Sequence, residues 1–151
     1  MNKIEIGELL YECTLSPTGM TEYGTSLAEV TTGKIPMPPE GIRVDGYFEG
    51  PINGEKLKGV LKGVDYMWIR PDGRIELDIH AEIITEDGKK ISLKGDGVCI
   101  PRKGSIISDL KENITLFSSF KKYTWMNPLQ VWAIGTINLT TQIITLKCYS
   151  A

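Results

Sequence analysis

The sequence predicts an all-β fold: an antiparallel barrel of about eight to ten strands in a single domain, with at most one or two short helices. Three observations carry this. The stretch Gly63 to Gly97 reads as three strands joined by two Asp-Gly turns, Asp72-Gly73 and Asp87-Gly88. Gly, Pro and Asx clusters punctuate the rest of the chain at short intervals. Finally, Pro36, Pro38 and Pro39 exclude a helix or a central strand from the tract Lys34 to Gly41. A barrel is preferred to a sandwich because closing the sheet removes the exposed edges that stacked hairpins leave.

In chain order, alternation over Ile4 to Leu15 predicts a long first strand, and SPTGMTEYG from Ser16 to Gly24 a loop. Thr25 to Gly33 reads as a second strand and Ile42 to Glu49 as a third, with Gly46 as a bend and Asn53-Gly54 as a turn beyond it. Leu57 to Leu61 and Asp65 to Ile69 are two short strands or one bent one, interrupted near Gly63. PRKGSIISDLKEN, from Pro101 to Asn113, is the one stretch that predicts a short helix, near Ser105 to Lys111. Ile114 to Tyr123, Leu129 to Asn138 and Gln142 to Tyr149 supply the remaining strands.

A chain of 151 residues with 41% hydrophobic and 24% charged content makes one globular domain with a real core. Its 17 basic and 19 acidic residues are interspersed, with formal charge −2, which argues against nucleic acid or an anionic membrane as the partner. The N-terminal residues lack an apolar run of signal-peptide length, so a cytoplasmic protein is expected. Cys13, Cys99 and Cys148 are odd in number and lie in apolar surroundings, as befits buried reduced thiols. With a single histidine, the chain offers no zinc-ligand spacing, and no phosphate loop or nucleophile elbow is present. Neither metal nor cofactor is expected.

A two-residue type I′ turn at Asp87-Gly88 would set Ile84 opposite Ile91, Glu82 opposite Leu93, His80 opposite Gly95 and Asp78 opposite Gly97. Both faces of that hairpin are then mixed, which leaves two readings. With Asp78, His80 and Glu82 outward, they are a solvated face over a core of Ile75, Leu77, Ile79, Ala81 and Ile83. With the charges inward, they line a polar lumen beside glycines that leave room for a ligand, and the isoleucine row needs a second subunit to cover it.

Asp65, Arg70-Pro71-Asp72-Gly73, Leu77-Asp78, Asp87-Gly88 and Tyr123-Thr124-Trp125-Met126-Asn127, in that order, resemble the domain of unknown function 3237 family from about Ile42 onward. The chain departs from that pattern with Val64 and Tyr66 where Gly and Trp are usual, Met126 where Leu is usual, and His80-Ala81 where Arg-Tyr is common. The resemblance implies a small calycin-like barrel, often oligomeric, with no settled activity.

Candidate catalytic residues are Asp65, Asp78 and His80, since a carboxylate desolvated in a lumen titrates in a range useful for proton transfer. Asp65 equally suits backbone hydrogen bonds at the strand break, and His80 an exposed pairing with Asp78 or Glu82. Tyr123, Trp125 and Asn127 are the candidate ligand-binding residues: in alternation they would stack a flat molecule and fix it by one amide, though core packing before Pro128 explains them as well. Three functions follow: a lumen binding a small, partly apolar or aromatic molecule; a cofactor-independent isomerase, cyclase or hydrolase using lumen carboxylates; or a solidly packed structural barrel. A homo-oligomer is the expected assembly.

Overall fold

In the computed structural model, which describes residues 2–3 and 5–150, eight antiparallel strands close a barrel in sequential order, β1 pairing with both β2 and β8. The strands are β1 Leu9–Glu22, β2 Ile42–Asn53, β3 Lys58–Ile69, β4 Ile75–Thr85, β5 Lys90–Pro101, β6 Ile107–Phe117, β7 Val131–Asn138 and β8 Ile144–Ser150. The helical elements are α1, Leu27–Thr31, and a 3-10 turn at Thr124–Met126. No described helix is long and apolar enough to cross a membrane.

Several boundaries differ from the sequence reading, each for a local reason. β1 runs on through Pro17 by a register shift between Pro17 and Gly19, so the expected loop is strand. Thr25 to Gly33 holds α1, started by Ser26, whose hydroxyl accepts the Glu29 N–H at 3.2 Å. The helix expected near Ser105 to Lys111 is the first half of β6: Ser108, Leu110, Glu112, Ile114 and Leu116 alternate inward as buried residues. That strand stops at Phe117, well before Tyr123.

The β4–β5 turn has three residues rather than two. Gly88 takes φ +79°, its N–H reaches the Thr85 carbonyl at 2.9 Å, and the Thr85 N–H reaches the Lys89 carbonyl at 2.8 Å. The Thr85 hydroxyl secures it, accepting the Lys89 N–H at 2.9 Å and donating to Asp87 at 2.5 Å. One extra turn residue shifts the register by one: Ile83 faces Ile91, Ala81 faces Leu93, Ile79 faces Gly95 and Leu77 faces Gly97. The mixed faces separate. Leu77, Ile79 and Ile83 are buried in the core with Ile91 and Leu93, and Asp78 and His80 are exposed outside. The case for a second subunit built on that apolar row therefore loses its premise.

Both barrel ends are furnished. At one, Leu27, Val30 and Met37 from α1 and its flanks pack on Ile42, Val44 and Ile69. The segment is tied down by buried Asp45, which accepts from the Tyr23 hydroxyl and from Arg43 Nη2 at 3.0 Å. At the other end Leu57, Tyr123 and Met126 are buried as a plug. The three cysteines are free and buried.

Candidate functional site

The site proposed from sequence does not assemble as a unit. Tyr123 is buried, its hydroxyl donating to Asp87 at 2.7 Å, so it locks the β6–β7 loop to the β4–β5 turn. Asn127 spends both amide atoms on Ser118, accepting its N–H at 2.8 Å and donating to its carbonyl at 2.9 Å. Trp125 alone is left available: it borders a hollow of about 210 Å³ with the Lys56 ammonium 5.7 Å from its ring centroid. Placing these residues around a 3-10 turn, rather than in a strand, ends the alternation that would have put them on one face.

His80 does pair with Asp78, Nε2 to Oδ1 at 3.1 Å, with the Tyr66 ring edge-on at 5.6 Å. The pair lies on the barrel's outer surface, its side chains about half exposed (51% and 58%), so it is an ordinary solvated contact worth little. Asp78→Asn is accordingly expected to change stability by less than about 0.5 kcal/mol in urea melts. A larger loss would show that the outer dyad supports the fold.

Asp65, by contrast, faces inward. Its row across the sheet is Gly46, Asp65, Ile79, Gly95 and Ile114. The β3–β4 ladder lapses beside it, between the pairs Asp65–Ile79 and Trp68–Glu76, and Asp65 Oδ1 accepts the Asp78 N–H there at 2.9 Å. Burial pushes its carboxyl up to about 6 in spite of that bond; the negative charge of Asp78 adds to the rise.

Glu112, which sequence reading missed, completes the interior. It is 7% exposed and makes no hydrogen bond among the described residues. Burial, reinforced by the charge of Asp65, pushes its carboxyl up to about 8. Its own row is Gly97, Glu112, Ala133, Cys148 and Tyr11. The Tyr11 hydroxyl is buried beside the Cys148 thiol and is held well above its usual range, by burial first. Ser108, one turn of the alternation beyond Leu110 on the same face, carries a second buried hydroxyl, set against the Cys99 thiol. Burial likewise lifts the Cys99 thiol to about 11, so it stays protonated and unreactive at neutral pH. The signal for Glu112 was one acidic residue in the alternating row Ser108, Leu110, Glu112, Ile114 and Leu116, and it was lost when the first part of that row was read as a short helix and the strand was begun only at Ile114.

The glycines near the pair do not open space. A Cβ on Gly95 would stand 3.2 Å from Ile114 Cγ1, and one on Gly97 only 2.1 Å from the Lys111 carbonyl oxygen. They let neighbouring strands approach and turn.

Fold and interior together define a small closed antiparallel barrel whose inward face carries two carboxylates, Glu112 buried and Asp65 half-buried. The chain belongs to the family described as "Protein of unknown function (DUF3237)", whose model matches residues 35–150. Solved structures share the fold at low identity. A β-barrel-like protein from Acinetobacter baumannii AYE is 19% identical with a TM-score of 0.77, covering 99% of this chain and 98% of its own. A protein of unknown function from Clostridium acetobutylicum is 19% identical at 0.75, covering 95% and 96%. An enzyme from Penicillium herquei is 20% identical at 0.64, covering 99% and 98%. No curated protein matches the chain in sequence.

Proposed function

We propose that the chain is a binding barrel that holds a small, partly apolar molecule in its interior, with Asp65 and Glu112 as the polar anchors. Glu112 carries this reading. A buried carboxylate without a hydrogen bond or a cationic partner costs several kcal/mol when ionised, and folds shed such groups unless they are used. Apolar walls with a few convergent polar groups are what small-molecule sites require. A thermal-shift screen of aromatic fragments tests it: hits on the native chain are expected to vanish in the double variant Asp65→Asn, Glu112→Gln. Hits that persist unchanged would place binding elsewhere, for example at Trp125.

A cofactor-independent acid–base enzyme is the second reading, favoured by one observation. The environments set the two carboxyls apart, at about 6 and about 8, so near pH 7 one accepts a proton while the other donates. One structural neighbour is described as an enzyme, which is compatible with this reading. Turnover on a bound fragment with a bell-shaped pH profile, lost in either single variant, would select it.

A further inference from the structure

Independently of what the interior holds, we infer that two copies of this chain pair about a two-fold axis through the outer face of β7, β8 and the start of β1, the Trp132 ring of each filling the hollow that Trp125 borders on the other. The composition of that wall points there. Along β4 the outward positions are Glu76, Asp78, His80 and Glu82, which water wets. Along β7 they are Trp132, Ile134 and Thr136, with no charge, and the first two stand 42% and 44% exposed. Register carries the apolar band sideways: Trp132 lies beside Tyr149, and Tyr149 beside Leu9, which is 46% exposed. Single exposed apolar residues are ordinary on a monomer, whereas a contiguous band holding Trp and Tyr is the composition of an interface core.

The occupant is read from the hollow at the end of that band. Leu9, Leu10, Trp125 and Leu129 line about 210 Å³, and Leu9 belongs to band and hollow alike, so an exposed indole and a recess for one lie next to each other on a single surface. A two-fold contact sets a patch against its own copy, so a patch with both features complements itself, each ring entering the opposite recess. Edge-on or offset against Trp125, such a ring gains more than its buried area alone. The charges agree with this pairing. Lys111 and Lys147 flank Ile134 from the neighbouring strands, on the side of the exposed ring, while Glu8 and Glu55 border the recess. Lys56, the cation at the recess, stands over the Trp125 ring at 5.7 Å, and Lys147 reaches Glu12 at 3.8 Å. Lys111, Glu8 and Glu55 make no ion pair among the described residues. The axis that seats Trp132 brings the basic side of one copy to the acidic side of the other, twice over. A closed pair covers both features and leaves nothing to propagate.

The test is the mass of the full chain in solution, by light scattering and sedimentation velocity across the micromolar range. Twice the chain mass is expected for the wild type. Trp132→Glu should weaken association by about thirtyfold or more while leaving the circular dichroism unchanged, and Trp125→Ala, on the recess side, should act in the same direction. Ile134→Lys repeats the test if Trp132→Glu folds poorly, and Tyr66→Glu, on the opposite wall, should leave the mass as it is. A wild type that stays monomeric throughout overturns the inference. So does a dimer that survives both Trp132→Glu and Ile134→Lys, since its contact then lies on another face. A monomer in which indole shifts the Trp125 amide resonance overturns it in favour of a small-molecule site in the hollow.

Discussion

Glu112→Gln stabilises the ligand-free protein at pH 7, by up to about 3 kcal/mol, since a pH of 7 lies some 2.5 units above the usual glutamate range and each unit is worth about 1.4 kcal/mol. The sign follows from the direction of the shift. Glu112 titrates near 4.5 when unfolded and near 8 when folded, so the folded state binds more protons across that window. Its favourable balance is complete below about pH 4.5 and is lost as the pH rises to 8. Asp65, raised from 3.8 to about 6, acts in the same direction over a narrower range and is partly relieved by its bond to Asp78. Urea midpoints should therefore climb as the wild type is taken from pH 8 to pH 5, with a shallower climb in the variant. Below that the trend reverses. Asp87 is held well below the usual carboxylate range by the Thr85, Tyr123 and Lys122 donors, and Asp109 by Arg102, and both lose their partners' benefit on protonation. A flat midpoint from pH 5 to 8 would mean that Glu112 is not desolvated, and the site would lose its foundation.

Gly97→Ala has the opposite sign and a comparable size. Gly97 adopts φ +150°, which side chains rarely tolerate, and a methyl group there would meet the Lys111 carbonyl oxygen at 2.1 Å and Glu112 Cα at 2.9 Å. Backbone cannot yield as a flexible side chain does, so β5 and β6 must separate at Glu112. A loss of about 3 kcal/mol or more is expected, the sum of overpacking and an unfavourable backbone conformation. Gly88→Ala offers a comparison, because its φ of +79° imposes conformational strain without any atom within 4 Å. If Gly97→Ala costs no more than Gly88→Ala, the close approach at β6 is not a constraint on the site.

The barrel was legible in the sequence because turn residues and period-two alternation are local signals, and both survive in Pro71-Asp72-Gly73 and in Ile75 to Ile83. What the residues alone did not yield was register. Whether Asp78 or Leu77 faces inward depended on one residue in the Thr85–Lys89 turn, decided by a threonine hydroxyl that binds the Lys89 N–H. Asp65 was legible as an inward carboxylate at a strand break, and its backbone bond was the alternative weighed for it; both are present together. Glu112 was hidden because its strand begins in a Gly- and Ser-containing stretch, and its charge means something only once its neighbours are known to be apolar. The aromatic trio failed for a related reason: Tyr123, Trp125 and Asn127 are spaced by two, but a 3-10 turn does not share the strand's period.

The pairing of β1 with β8 has a consequence for how the molecule comes to exist. Leu15 meets Ile144 and Tyr11 meets Cys148, so the contacts that seal the cylinder join the barrel's first strand to its last. Until Ile144–Ser150 is in place, Tyr11, Cys13 and Leu15 have no partner strand on that side, and the meander from β1 to β7 keeps two open edges. Closure of this kind rewards its loop entropy late, which places the chain among slow, topology-limited folders. During that wait the nascent edges are the surfaces a chaperone or a second nascent copy would meet.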